Sequence, residues 1–232
     1  MKQTILVTGG TGFIGSHTTV ELIEAGYQVV IVDNLSNSKI EVLDGIEKIT
    51  GVRPAFEQVD LRDFDATEAV FKKYPAIEGI IHFAASKAVG ESVQKPLMYY
   101  RNNVVSLVNL LELMPKYNVK GIIFSSSCTV YGQPKPENLP VTEDCPHQKA
   151  TSPYGNTKEI NEQIITDYTT SPMSHPGKIV YGIAIAAIAV YLRTHGESRN
   201  AMLIAIFVMN MLTPLVDRYC KPRRYGKAKH KQ

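Results

Sequence analysis

The stretch VTGGTGFIG, residues 7–15, decides how this chain is read. Its glycines, Gly9, Gly12 and Gly15, stand three apart, directly after the β-branched run Ile5 to Thr8 and ahead of a helix-length segment. In such a strand–turn–helix, Gly9 permits the tight turn and Gly12 lets backbone N–H groups approach a pyrophosphate. Gly15 lets the helix pack closely on the sheet. The helix N-terminus then stabilises the anion through its dipole and its unpaired N–H groups. Eighteen residues past Gly15 the next apolar run ends on Asp33, a carboxylate able to accept both ribose hydroxyls of an adenosine. It would repel a 2′-phosphate, and NLSNSK (34–39) holds no arginine to bind one, so the pattern favours NAD over NADP. A glycine triplet alone is also what an ordinary turn looks like; strand, helix and acid in sequence make it a dinucleotide fingerprint.

Outward from this turn, short β-branched runs alternate with helix-length segments, the pattern of βαβ units and a parallel sheet. The spacing predicts five strands, at Ile5 to Thr8, Gln28 to Asp33, Arg53 to Asp60, Gly79 to Phe83 and Gly121 to Ser125, and helices near 13–25, 65–73, 97–117 and 155–168. The expected fold class is α/β, a doubly wound parallel (Rossmann) sheet with its ligand at the carboxyl ends of the strands. GQPKPENLP (132–140) reads as an exposed loop.

Composition narrows the alternatives. The 232 residues are 44% hydrophobic and 20% charged, ordinary for a globular chain. Three widely spaced cysteines, Cys128, Cys145 and Cys220, form no CxxC pair, so neither a disulfide framework nor a metal site is expected. The N-terminus reads as a buried strand and not as a signal peptide, which points to the cytoplasm for residues 1–171. The net charge of +3 conceals an asymmetry. Residues 1–171 hold 15 Lys and Arg against 20 Asp and Glu, and residues 172–232 hold 10 against 2. Seven of those ten cations follow Val216, a basic tail without the aromatic interleaving of a nucleic-acid surface, so no nucleic-acid partner is expected.

The acid–base candidates lie further on. SSSCTVYG (125–132) follows the fifth strand, and YGNTK puts Tyr154 and Lys158 four apart, on one face of a helix. An ammonium near a phenol favours the phenolate and draws its pKa towards neutrality, which makes Tyr154 a usable general base. Two such residues can also be mere neighbours on a helix surface. The serine cluster at a strand's carboxyl end, where Ser127 could hydrogen-bond a substrate hydroxyl, weighs against that.

Through VTGGTGFIGSHT, VDNLSNS, IHFAASKAVGESVQKPL, YYRNNV, FSSSCTVYG and SPYGNTK, residues 1–171 resemble the extended short-chain dehydrogenases and, within them, the UDP-glucose 4-epimerases. The resemblance implies a reversible NAD-dependent oxidation at C4 of a UDP-hexose. Tyr154 would take the C4 hydroxyl proton, Lys158 would bind nicotinamide ribose and tune Tyr154, and Ser127 would bridge to the reacting oxygen. The implied cofactor set is Gly9, Gly12, Phe13, Ile14, Gly15, Asp33 and Asn34, with Asp60 and Leu61 at adenine. Phe83, Ala84, Ala85 and Lys87 would lie along the pyrophosphate and ribose, with Asn102 or Asn103, Tyr154 and Lys158 completing it. A homodimer through helices 97–117 and 155–168 is also implied.

Beyond residue 171 the texture changes. TTSPMSHPGKIVYG (169–182) opens a segment without the RYFNP-like motif and UDP-binding region that the epimerases carry, so turnover is expected to be impaired. Residues 172–178 read as a junction, 179–216 as an apolar helical hairpin and 217–232 as the basic tail. Ile179 to Leu192 and Ala201 to Val216 are uncharged runs of 14 and 16 residues. As helices they reach ~21 and ~24 Å, against a hydrocarbon core of about 30 Å. Membrane attachment through 179–216 is one reading; a sixth strand or buried helix from Lys178 to Leu192 is the other. Residues 178–232 resemble the C-terminal end of a membrane component of the Rnf-type electron transport complexes. The alternative function is thus a catalytically inactive NAD-binding fragment fused to a membrane segment of an electron transport protein.

Overall fold

A computed structural model describes residues 3–142, 145–146, 148–170 and Tyr191. The apolar runs form five strands: β1 (Thr4–Thr8), β2 (Gln28–Asp33), β3 (Ala55–Gln58), β4 (Ile77–His82) and β5 (Gly121–Phe124). All neighbours pair in parallel, in the order β3-β2-β1-β4-β5. The chain therefore runs outward from β1 through β2 to β3, then crosses back to β4 and β5. The reversal point, where an open α/β sheet binds its ligand, lies at the carboxyl ends of β1 and β4.

Among the elements described, six α-helices accompany the strands: α1 (Phe13–Glu24), α2 (Val42–Thr50), α3 (Phe64–Lys73), α4 (Val89–Gln94), α5 (Pro96–Lys116) and α6 (Pro153–Thr170). Strand side chains alternate between the sheet's faces. Val7, Val29 and Ile31 join Leu43 and Ile46 of α2 in one buried cluster, with Val20 and Ile23 of α1 against it. Among the buried residues of α3 and α5 are Phe71, Leu107, Leu110 and Leu113. Glu68 of α3 is bound by Lys72, Lys116 and Tyr117. Those partners, Lys116 first, hold its carboxyl down at about 2.

The strands depart from expectation at β3, which begins at Ala55 and ends at Gln58 instead of running from Arg53 to Asp60. Pro54 has no N–H for the ladder, and Asp60 already turns the chain, its carbonyl accepting from Asp63 N. Helix α2 is additional to the expected helices. Its signals are the buried pair Leu43 and Ile46 and the left-handed Gly51 at its C-cap, φ 70°. Helix α4 is six residues long, too short to leave a periodic trace. The junction at 172–178, the hairpin at 179–216 and the tail at 217–232 lie outside the described residues, Tyr191 excepted. Among the described residues no helix is long and apolar enough to cross a membrane.

Candidate functional site

The turn after β1 is shaped by close backbone approach. Gly9 has φ +67°, and a Cβ there would lie 2.7 Å from Ala84 N and 2.9 Å from Ala84 Cα, at the exit of β4. Only a residue without a side chain lets β1 leave the sheet so near its neighbour. A Cβ on Gly15 would meet Gly9 O at 2.3 Å, so the tightness expected of that glycine is against the turn itself and not against the sheet. Gly12 is the N-cap of α1 and supplies no side-chain cap. The first-turn N–H groups of α1 thus lack an intrahelical partner, which suits an anion such as a pyrophosphate. Phe13 and Ile14, in that first turn, are 76% and 59% exposed.

Asp33 ends β2 beside this turn. One carboxylate oxygen accepts from Thr11 N (3.3 Å), the other from Leu35 N and Ser38 Oγ (both 3.0 Å). Thr11 Oγ1 and Ser38 Oγ are 2.8 Å apart, which ties the phosphate turn to the loop after β2. Asp60 binds the Arg62 guanidinium through contacts of 2.6, 3.0 and 3.1 Å. That guanidinium, with Asn34 adding, holds the Asp60 carboxyl below the usual range. Asp60 is thus shared by Arg62, in the segment after β3, and by Asn34 of the stretch NLSNSK, which contains no arginine. Leu61 is buried, and its carbonyl accepts from Asn109 Nδ2 at 2.8 Å.

The loop after β4 carries Phe83, Ala84 and Ala85, all partly buried, and then the exposed Lys87. Of the two asparagines that could approach it, Asn103 is 1% exposed and spent on architecture. Its Oδ1 accepts from Ser86 N (2.8 Å), and its Nδ2 donates to Ser86 O and to Thr157 Oγ1 (both 3.0 Å). Asn102, half-buried, donates to Ser86 Oγ at 3.0 Å. The Thr157 hydroxyl itself donates a hydrogen bond to Tyr154 O (2.7 Å), so this joint links the β4 loop to the helix of Tyr154 and Lys158.

Ser127 caps the 3-10 turn Cys128–Tyr131, its Oγ accepting from Thr129 N (3.3 Å) and Thr129 Oγ1 (3.0 Å). A Cβ on Gly155 would stand 3.2 Å from Thr129 O, so α6 sits against this turn immediately after Tyr154. Lys158 is 4% exposed. Its Nζ donates to Ser125 O at 2.6 Å and lies 4.6 Å above the Phe124 ring. Burial pushes that ammonium down to about 8, against the opposing field of Glu162. His82, at the end of β4, stacks on Phe124 and places Nδ1 2.7 Å from Thr8 Oγ1. Burial, then the charge of Lys158, pushes its pKa down to about 3, so the ring is neutral.

The sequence thus names candidate site residues and misses the neighbours that hold them. Phe124, His82 and Thr157 act on residues of other elements; Arg62 lies two residues from its partner Asp60, and Thr157 one turn past Tyr154.

A parallel five-stranded sheet, a glycine turn at its reversal point and an acid closing β2 define a Rossmann domain built for a dinucleotide. Residues 5–227 match the NAD dependent epimerase/dehydratase family, and the chain belongs to that family. It is 56% identical over 170 residues to the UDP-glucose 4-epimerase of Schizosaccharomyces pombe, covering 72% of this chain and 47% of that protein. It is 54% identical over 167 residues to the UDP-glucose 4-epimerase of Bacillus subtilis, covering 72% and 48%. The crystal structure of UDP-glucose 4-epimerase from Bifidobacterium longum in complex with NAD+ and UDP superposes with a TM-score of 0.68 at 51% identity, over 71% of this chain and 48% of that one. The chain spans about half the length of the curated relatives it matches.

Proposed function

We propose that this chain binds NAD across the carboxyl ends of β1, β2 and β4 and supplies the acid–base groups of a UDP-hexose 4-epimerase, interconverting UDP-glucose and UDP-galactose. The glycine turn and the uncapped N-terminus of α1 would take the pyrophosphate, Asp33 the adenosine ribose hydroxyls, and Asp60 and Leu61 the adenine. Bound NAD supplies a hydride acceptor at C4 that can return the hydride to either face of the 4-keto sugar. Tyr154 takes the C4 hydroxyl proton and gives it back, and Ser127 keeps its O–H free to hold the reacting oxygen, since its cap bonds use only its lone pairs. Lys158, still charged at neutral pH, would reach the nicotinamide ribose from its seat on Ser125 O, one helical turn from Tyr154.

The observation that carries this reading is the seat of Lys158. Buried on Ser125 O, it brings α6 over the strand end that leads into Ser127, one helical turn from Tyr154. The test is the conversion of UDP-galactose by the purified 232-residue chain. Conversion abolished by Tyr154→Phe with nucleotide content unchanged supports the assignment; conversion that survives the substitution contradicts it.

Three further elements of the reading have narrower support. A homodimer through α5 and α6 draws on the exposed Leu97 and Val105 of α5. Membrane attachment through 179–216 and the likeness of 178–232 to a membrane component of the Rnf-type complexes draw on the sequence alone.

A further inference from the structure

We infer that Phe124 is a positioning residue for Lys158, its ring face being the seat that holds the ammonium at the carboxyl end of β5. The inference deepens the functional reading above, on which the importance of Lys158 rests. An ammonium that is almost wholly buried needs compensation for its lost hydration. The contacts of Nζ are the Ser125 carbonyl at 2.6 Å and the Phe124 ring, 4.6 Å to the centroid. Glu162, one turn further along α6, adds an attractive field. The bond to the Ser125 carbonyl uses one of the ammonium's three N–H donors. The negative face of an aromatic ring attracts the charge as a whole within about 6 Å, and it does so most strongly where water is excluded.

The remainder of β5 has no need of an aromatic. Gly121, Ile122 and Ile123 precede Phe124, and an aliphatic residue at the fourth position would serve the strand equally well. What the ring adds is its π-face and its own support. His82 stacks on it with centroids 6.0 Å apart and planes 25° apart, and His82 is fixed through Nδ1 to Thr8 Oγ1. Among the described residues, the charged or titratable groups coupled to Lys158 include His82 from β4 and Glu162 from its own helix, where Tyr154 lies one turn earlier. Because His82 stays neutral, the stack brings no second cation against the ammonium. Thr8, His82, Phe124 and Lys158 form one line from the strand that opens into the glycine turn to the helix of Tyr154. The seat of Lys158 is referenced by this line to the same strand that shapes the phosphate site.

The test reads Lys158 directly. The chain is labelled with isotopic lysine, the Lys158 Cε signal is assigned by its loss in Lys158→Arg, and its ionisation is followed by NMR without nucleotide. Two variants are compared with the unsubstituted chain: Phe124→Leu, and site-specific replacement of Phe124 by trifluorophenylalanine, which keeps the ring's shape and weakens its π-face. The expected result is a fall in the Lys158 midpoint of about half to one and a half pH units in both. NAD affinity should weaken several-fold alongside. A midpoint unchanged in the trifluoro chain, which folds whether or not Phe124→Leu does, would overturn the inference and leave the ring as packing. Since the titration needs no nucleotide, a chain that failed to bind NAD would count against the functional reading and not against the seat of Lys158.

Discussion

Along β1, β2 and α2 the buried cluster is aliphatic, Val7, Val29, Ile31, Leu43 and Ile46, whereas the buried set of β4, α5 and α6 includes His82, Asn103, Thr157, Lys158 and Asn161. The first flank acts by excluded volume. Its side chains fill space, and the proposed binding surface is backbone, exposed because Gly9 has no Cβ. The second flank acts by hydrogen bonds and charge, with its candidate chemical groups on side chains that other buried side chains hold. The difference teaches where each flank is fragile: one to added atoms, the other to lost donors and acceptors and to protons.

The largest expected effect breaks the first flank. Gly9→Ala forces a left-handed alanine against the Ala84 backbone, which cannot yield as a flexible side chain would. Strain and overpacking together should cost about 4 kcal/mol in urea unfolding, with any bound dinucleotide lost. Next, Asn103→Leu keeps the approximate volume but strands Ser86 N–H and Ser86 O in the second flank. The expected loss is about 3 kcal/mol, since each buried unsatisfied group costs about 1–3 kcal/mol.

Acid separates the flanks without adding or deleting atoms. His82 has its folded pKa lowered from 6.5 to about 3, so between those values the unfolded chain holds more protons than the folded one. The stability supplied by the neutral buried ring is complete above pH 6.5 and drains away as pH falls towards 3. The slope is about 1.4 kcal/mol per pH unit. Urea midpoints measured from neutral to mildly acidic pH should fall in the unsubstituted chain, and much less in His82→Gln. The smallest effect returns to the first flank. A Cβ on Gly45, inside α2, would meet nothing within 4 Å, so Gly45→Ala should stabilise by about 0.5–1 kcal/mol. A destabilised Gly45→Ala chain would show that the aliphatic flank is less tolerant than its open surface suggests.

The same contrast explains what can be read from residues alone. The glycine turn, Asp33 and four of the strands are local patterns, with periodicity or spacing written into a few adjacent positions, and they are legible. Helix α4 is too short for that. Strand β3 is overrun because AFEQV, between Pro54 and Asp60, alternates too weakly in polarity to mark where the strand starts and stops. In the site, Tyr154, Lys158 and Ser127 are legible as a spacing. That spacing turns Lys158 towards the tyrosine, whereas its hydrogen bond to Ser125 O depends on how β5 and α6 meet, which no single segment encodes. Arg62 is the sharpest case. The preference for NAD rests on the Asp33 carboxylate and on the lack of an arginine in NLSNSK, and Arg62, which follows β3, is engaged by Asp60, a carboxylate that also bonds Asn34.

Everything proposed for this chain depends on a dinucleotide binding where Gly9 and Asp33 shape the sheet's carboxyl edge. The most direct test is to purify the chain, denature it and quantify the nucleotide released. The account predicts stoichiometric NAD from the unsubstituted protein and none from Gly9→Ala; a folded unsubstituted chain that yields no dinucleotide, and takes up none when NAD is added, would contradict it.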